Sequence, residues 1–459
     1  MAEPRVLVII LAGGEGKRLQ PLTNDRAKPA VPFAGSYRLI DFALSNFANA
    51  GLLKMVVLTQ YKSHSLDRHV SQTWRFSTLL GQYVTPVPAQ MRRGPFWFSG
   101  SADAIYQNLN LISDENPDLV CVFGADHIYR MDPQQMIDHH VQVGAGVTVA
   151  AIPVPKQEAR EFGVIESDAD GRILDFLEKV EEPPTMPGDD GRCLASMGNY
   201  VFDTQTLIDV VTPRESTYTD LGGHVIPALT KQGVAHVYDF SRNIVPGQDD
   251  RERGYWRDVG TIDSYYIANM DLIAPLPAFN LYNNEWPVYT FHGADPPAKV
   301  SRGPGWEPAY VDGCLLCQGS IVSGAHVERS IIAPGCYVSN DAHVTDSILF
   351  PGVRVGVGAR LHRCIIDKNV EVPDWYRIGH EPDKDRELFT VSDSGIAVIE
   401  KDRRLSILPP ECLRSTECWR WGVSAGNTRM GGRRGLRPRS TRRRPGRTTR
   451  PRRDRRSRS

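Results

Sequence analysis

The chain has 459 residues, 41% hydrophobic and 24% charged, with 54 basic and 54 acidic side chains, enough for about three domains. The neutral sum hides two opposed segments: 429–459 holds 15 Arg, no Lys and one acid (Asp454), a local +14, and the rest carries 39 basic against 53 acidic side chains, or −14. No apolar run approaches the roughly 20 residues of a membrane span, none has a signal-peptide layout, and the single CxxC (Cys314, Cys317) lacks a second pair at zinc-ligand spacing, so a soluble, cytoplasmic protein with reduced thiols and no membrane contact is expected.

In chain order, β-rich runs at 6–11, 55–59, 119–123 and 147–152 alternate with helical stretches. That alternation predicts an α/β domain over 1–274, doubly wound on a mostly parallel sheet. Between the first two runs, Leu39, Ile40, Ala43, Leu44, Phe47 and Ala48 recur at helical spacing and stop at Gly51, as an amphipathic helix with a glycine terminator does. Seven prolines between 275 and 308 break any period and mark 275–310 as a linker.

An internal repeat follows. Leu315, Ile321, Val327; Ile332, Val338, Val344; Leu349, Val355, Leu361; and Ile366, Val372, Ile378 are six apart within each triplet, and triplets start 17 apart. Six-residue periodicity predicts a parallel β-helix over 311–398, with aliphatics pointing into a narrow prism and an open end that needs a cap or a partner subunit. The remaining 399–459 reads as an Arg-rich tail unable to build a core. Nucleic-acid binding is not expected except through that tail, in a salt-dependent way.

The richest segment for chemistry is Leu11-Ala-Gly-Gly-Glu-Gly-Lys-Arg-Leu19, directly after the first strand. Glycines let backbone N–H groups approach a phosphate, and Lys17 and Arg18 can neutralise it. The spacing fits neither a Walker A loop nor a dinucleotide fingerprint. Asp25-Arg26-Ala-Lys28-Pro29 adds two cations, Arg26 and Lys28, to the same end of the sheet. Asp126, just past a buried strand, and Asp258, in Tyr255-Trp-Arg-Asp-Val-Gly260, supply two carboxylates. Carboxylates beside clustered cations suggest a divalent metal held over nucleotide phosphates.

These segments, with Tyr37-Arg-Leu-Ile-Asp-Phe-Ala-Leu-Ser-Asn46, Pro88-Ala-Gln90, Gly100-Ser-Ala-Asp-Ala104, Phe176-Leu-Glu-Lys179 and Ser196-Met-Gly-Asn-Tyr200, resemble the bacterial glucose-1-phosphate adenylyltransferase (ADP-glucose pyrophosphorylase) family from about Val6 to Val398. The resemblance implies that the β-helix is left-handed, and that AMP passes from ATP to glucose 1-phosphate, giving ADP-glucose and pyrophosphate for glycogen synthesis. It further implies that Gly13, Gly14, Lys17, Arg18, Lys28 and Gln90 hold the nucleotide and that Asp126 and Asp258 hold Mg²⁺. Phe98, Gly163, Glu178, Lys179 and Ser196 would meet glucose 1-phosphate. Lys17, Arg18, Asp126, Lys179 and Asp258 would carry the reaction, and Gln60 and Trp97 would couple it to small-molecule effectors in a homotetramer.

Departures bear on the fine print. Phe98 stands where the family usually has Tyr, removing one hydroxyl hydrogen bond worth about 1 kcal/mol. Ser36-Tyr37 occupies the place where some members of the family carry a lysine for a sugar-bisphosphate activator, Val180 replaces a proline, and His224 stands where an acid is common. Two alternatives stay open on sequence alone: a sister enzyme using another NTP, or a non-catalytic regulatory subunit.

Overall fold

A computed structural model describes residues 3–90, 96–178, 180–212 and 218–406. The α/β sheet is built from β1 (Val6–Ala12), β2 (Lys54–Thr59), β3 (Tyr83–Pro88), β4 (Leu119–Gly124), β6 (Val147–Pro155), β9 (Arg192–Asp203) and β10 (Ala235–Asp239), with β5 (His127–Tyr129) following β4 outside it. Their order is β3-β2-β1-β4-β9-β6-β10, with a hairpin of β7 (Gly163–Ser167) and β8 (Ile173–Glu178) on β9. β9 runs antiparallel to both of its long neighbours, and the other main-sheet pairs are parallel. The chain moves outward from β1 to β3, then returns to place β4 on the opposite side of β1. That reversal opens a crevice at the carboxyl ends of β1 and β4, where open α/β sheets bind ligands.

The strands sit where apolar β-branched runs placed them. Leu7, Val8, Ile10, Val120, Val122 and Phe123 are fully buried because helices cover both sheet faces. Helix α1 (Leu39–Asn49) buries Leu39, Ile40, Phe42, Leu44 and Phe47, and the chain turns away at Gly51, whose φ of 77° suits glycine. Asp41 in its first turn caps the Arg38 amide and also accepts from His69, Trp74 and Thr290, so the buried carboxylate is saturated with donors.

The second domain is a left-handed parallel β-helix of three sheets. Val327, Ile332, Val338, Val344, Leu349, Val355, Leu361, Ile366, Val372 and Ile378 fill its prism. The first coil differs from the sequence expectation. Leu316, not Leu315, pairs with Ile332, and Val322, not Ile321, pairs with Val338. This turn is one residue shorter, so a strict 17-residue count slips by one position, which in a strand exchanges the two faces. Leu315 instead joins the apolar cluster shared with the α/β domain.

Two further boundaries shift. Lys299–Ser301, inside the segment read as a linker, is already a strand of the prism, paired with Ile321–Ser323. At the far end the strand Ala397–Ile399 runs past the expected boundary at 398, and the residues to 406, read as the start of the tail, pack on the prism: the Arg404 backbone forms a β-bridge with Glu371, and Asp402 accepts from Asn369 at 2.9 Å. Residues beyond 406, with the arginine run, lie outside the described residues. Among the described residues no helix is long and apolar enough to cross a membrane.

One apolar cluster spans both domains, joining Phe33, Phe42, Tyr265 and Phe279 to Ile331, Ile348, Phe350 and Ile365. Into its polar margin comes Arg26, whose guanidinium grips both oxygens of Asp367 at 2.9 Å and 2.9 Å, with both side chains under 5% exposed. Arg26 therefore does not add to the phosphate-facing charge: its fork suits a carboxylate, and the β-helix supplies one at the domain boundary. Breaking a buried pair leaves an uncompensated charge, so Arg26→Met or Asp367→Asn alone should cost about 3–5 kcal/mol, whereas Arg26→Met with Asp367→Leu should cost far less; urea unfolding of the three variants measures this.

Candidate active site

β1 and β4 lie side by side with Leu11 opposite Gly124, so the loops leaving them face one another across the crevice. The β1 loop must bend sharply. Gly16 has φ 67°, and a Cβ there would come within 3.0 Å of the Lys28 Cβ and 3.1 Å of Thr23, so only glycine fits. Gly14 faces open space, and Gly13 looks across at Gln60. The β4 loop carries Asp126, and β11 (Trp256–Asp258) pairs antiparallel with β5, setting Asp258 opposite His127.

Three adjoining cavities meet at these ends. One of ≈ 440 Å³ is lined by Gly13, Gly14, Gln60, Tyr61, Phe98 and Asp126. A second, ≈ 360 Å³, is walled by Lys17, Arg18, Lys28, Asp126 and Gly260. A third, ≈ 290 Å³, is lined by Gly163, Glu178, Ser196, Asp220, Trp256 and Asp258. Leu11 borders all three, and Ser101 borders the first and third. Such a compound cleft suits two ligands meeting over Asp126 and Asp258.

The carboxylates share a cation. Lys28 Nζ lies 2.8 Å from Asp126 and 3.4 Å from Asp258, with its side chain only 10% exposed. Burial pushes the Asp126 carboxyl up, but Lys28 and His127 outweigh it and hold it at about 2. Burial likewise pulls Lys28 down, and the two acids more than restore it, raising it above the usual lysine value. Both partners are therefore ionised at neutral pH. A Cβ on Gly260 would come within 3.1 Å of both Arg18 and Asp258, so a side chain here would crowd both groups. His127 stands 3.9 Å and 4.0 Å from the two acids and packs edge-on against Trp256.

The expected residues therefore separate into groups. Gly13, Gly14, Lys17, Arg18, Lys28, Asp126 and Asp258 come together around the crevice, with Lys17 exposed and paired to Glu15 at 3.0 Å. Gln90 follows β3 on the same edge of the sheet and is exposed. Gly163, Glu178 and Ser196 converge on the third cavity, whereas Phe98 lines the first. Lys179 lies outside the described residues. Gln60 holds the Phe98 backbone at both ends, accepting from its N–H at 2.7 Å and donating to its carbonyl at 3.2 Å, and Trp97 stacks on Tyr61.

Sequence reasoning missed Asp220. It accepts from Ser101 Oγ at 2.8 Å and from the Gly223 N–H at 2.8 Å, joining the start of the helix Ser101–Gln107 to the helical turn Leu221–Val225 beside the third cavity. A lone Asp before Leu-Gly-Gly gives no periodic signal, and its partner lies 119 residues away. His127, packed edge-on against Trp256, also borders the third cavity.

Residues 7–274 match the family described as "Nucleotidyl transferase", and 296–399 match "GlmU-like, C-terminal hexapeptide". Over 406 residues the chain is 55% identical to a protein of Frankia casuarinae named glucose-1-phosphate adenylyltransferase, covering 87% of this chain and 98% of that one. Proteins of the same name from Corynebacterium jeikeium (54%, 86% and 98%) and Nocardia farcinica (56%, 87% and 98%) align similarly.

A carboxyl held at about 2, against an ordinary 3.8, contributes stability that is complete above about pH 4 and lost as the pH falls through about 2. Asp126→Asn should flatten the fall of the urea midpoint across that window; unchanged slopes would exclude the ion pair as its source.

Proposed function

The chain belongs to the glucose-1-phosphate adenylyltransferases, forming ADP-glucose and pyrophosphate from ATP and glucose 1-phosphate, and we propose that its three adjoining cavities divide that reaction between them. The first would take the nucleoside, the second the ATP phosphates, and the third glucose 1-phosphate. The observation that carries this reading is that Asp126 lines the first two cavities and Asp258 the third, with Lys28 spanning the two acids.

The attacking group, an oxygen of the sugar phosphate, is already anionic, so no general base is required. The work is alignment and charge neutralisation at the α-phosphate and at the leaving pyrophosphate. Lys17, Arg18 and Lys28 face the polyphosphate. Glu178 and Ser196 orient the sugar, Phe98 flanks it from the first cavity, and Lys179 meets the sugar's phosphate. Two carboxylates do not make a closed cage, which suits Mg²⁺, since that ion keeps several waters and takes phosphate oxygens beside one or two protein carboxylates. Asp126 and Asp258 would hold it, and it would supply neutralisation of the charge on the polyphosphate.

We assign effector binding to the cations at the domain boundary. Half-buried Lys368 is pushed down to about 7, first by burial and then by Arg38 and Arg26, with Lys401 adding to them and Asp367 opposing. An arriving anion is stabilised by restoring the charge on Lys368. Gln60 and Trp97 are placed to pass a movement of the neighbouring loop to Phe98. Self-association into a homotetramer we assign to the first β-helix coil. Its strands Lys299–Ser301, Tyr310–Asp312 and Leu315–Leu316 each end their sheet, and Val300, Trp306 and Tyr310 are exposed nearby. We place the enzyme in the cytoplasm.

In a panel of NTPs with glucose 1-phosphate and Mg²⁺, ATP should be the preferred substrate for pyrophosphate release, and Asp258→Ala should lower kcat by about 10²-fold or more; equal rates with every NTP, or an active Asp258→Ala enzyme, would overturn the assignment. An anionic sugar-phosphate activator should bind more tightly at pH 6 than at pH 8, because Lys368 is charged below about 7 and neutral above it. Lys368→Met should flatten that difference in calorimetric titrations.

A further inference from the structure

We propose that Lys28 is a tethered counter-ion which a divalent metal must displace from between Asp126 and Asp258, and that this exchange makes metal and nucleotide bind as one unit. The proposal rests on the metal reading of the two carboxylates above.

The geometry limits what can occupy the site. One ammonium lies 2.8 Å and 3.4 Å from an oxygen of each acid. A metal ligated by those same oxygens at about 2.0–2.1 Å would claim the same volume. Two cations cannot share that space, so metal binding must move Nζ.

Only the side chain is free to move. Two residues earlier Arg26 is locked by Asp367, the next residue is Pro29, and the Lys28 Cβ is pressed against the Gly16 turn. The adjacent way out is the cavity walled by Lys17 and Arg18, where the nearby acid, Glu15, is already paired with Lys17. Metal alone would therefore drive a third cation into a cationic pocket. A polyphosphate arriving with the metal removes that repulsion, since the ejected ammonium then meets an anion. Each ligand lowers the cost of binding the other, and by linkage the coupling is reciprocal.

Mn²⁺ binding to the full chain, followed by electron paramagnetic resonance with and without ATP, tests this without turnover. Lys28→Met keeps the stem but removes the charge. We expect it to bind Mn²⁺ about tenfold or more tightly than wild type without ATP, and the tightening caused by ATP to shrink correspondingly. Lys28→Arg, which keeps the charge, should stay near wild type, and Asp126→Asn should abolish the affected site. Equal or weaker Mn²⁺ binding by Lys28→Met, folded as judged by circular dichroism, would overturn the exchange while leaving the metal assignment standing. Failure of every form to bind Mn²⁺, even with ATP, would overturn both.

Discussion

The architecture turns on a short stretch of chain that faces two ways. Arg26 and Lys28 are separated by Ala27, whose backbone is extended (φ −62°, ψ 147°). Arg26 reaches the β-helix and closes a buried fork on Asp367, while Lys28 reaches the crevice and spans Asp126 and Asp258. Buried cations without partners are among the most costly things a fold can contain. Arg26 therefore ties the two domains together and Lys28 neutralises the crevice, and neither cation can leave its acids without another cation taking its place.

The apolar contacts follow the same division. Aromatics of the α/β domain and aliphatics from the first sides of successive prism turns form one cluster, so the β-helix is part of the catalytic domain's support rather than an appendage on a flexible tether. The proline-rich segment serves this packing. Its Phe279 and Trp286 are buried, and its Asn283 carboxamide ties Pro246, Glu285 and Trp286 together. Prolines remove helix and sheet options, but they do not prevent an extended chain from being pinned on both sides.

Much of this was legible in the residues. Strand runs and the α1 periodicity need only local hydrophobic pattern, and the six-residue repeat of the prism is a direct imprint of its three-sided cross-section. The loop around Gly13 and the acids Asp126 and Asp258 were identifiable because strand ends and glycine-rich turns leave composition signals. What escaped were pairings across long separations. Nothing near Arg26 distinguishes it from Lys28, since both lie in one basic tetrapeptide, and the acid that claims Arg26 is 341 residues away. The slip at Leu315 and Leu316 escaped for a related reason: two adjacent leucines satisfy a six-residue count equally well, and only pairing with Ile331 and Ile332 decides which one faces inward.

The sequence by itself determined which segments become strands, helices and prism turns, because those depend on neighbours within a few residues. It also determined the family, because ordered motifs run through most of the chain. Tertiary structure alone decided which cations face the crevice and which hold the frame. A positive side chain goes to whichever carboxylate the fold brings within reach, and desolvation makes that choice binding once the domains close.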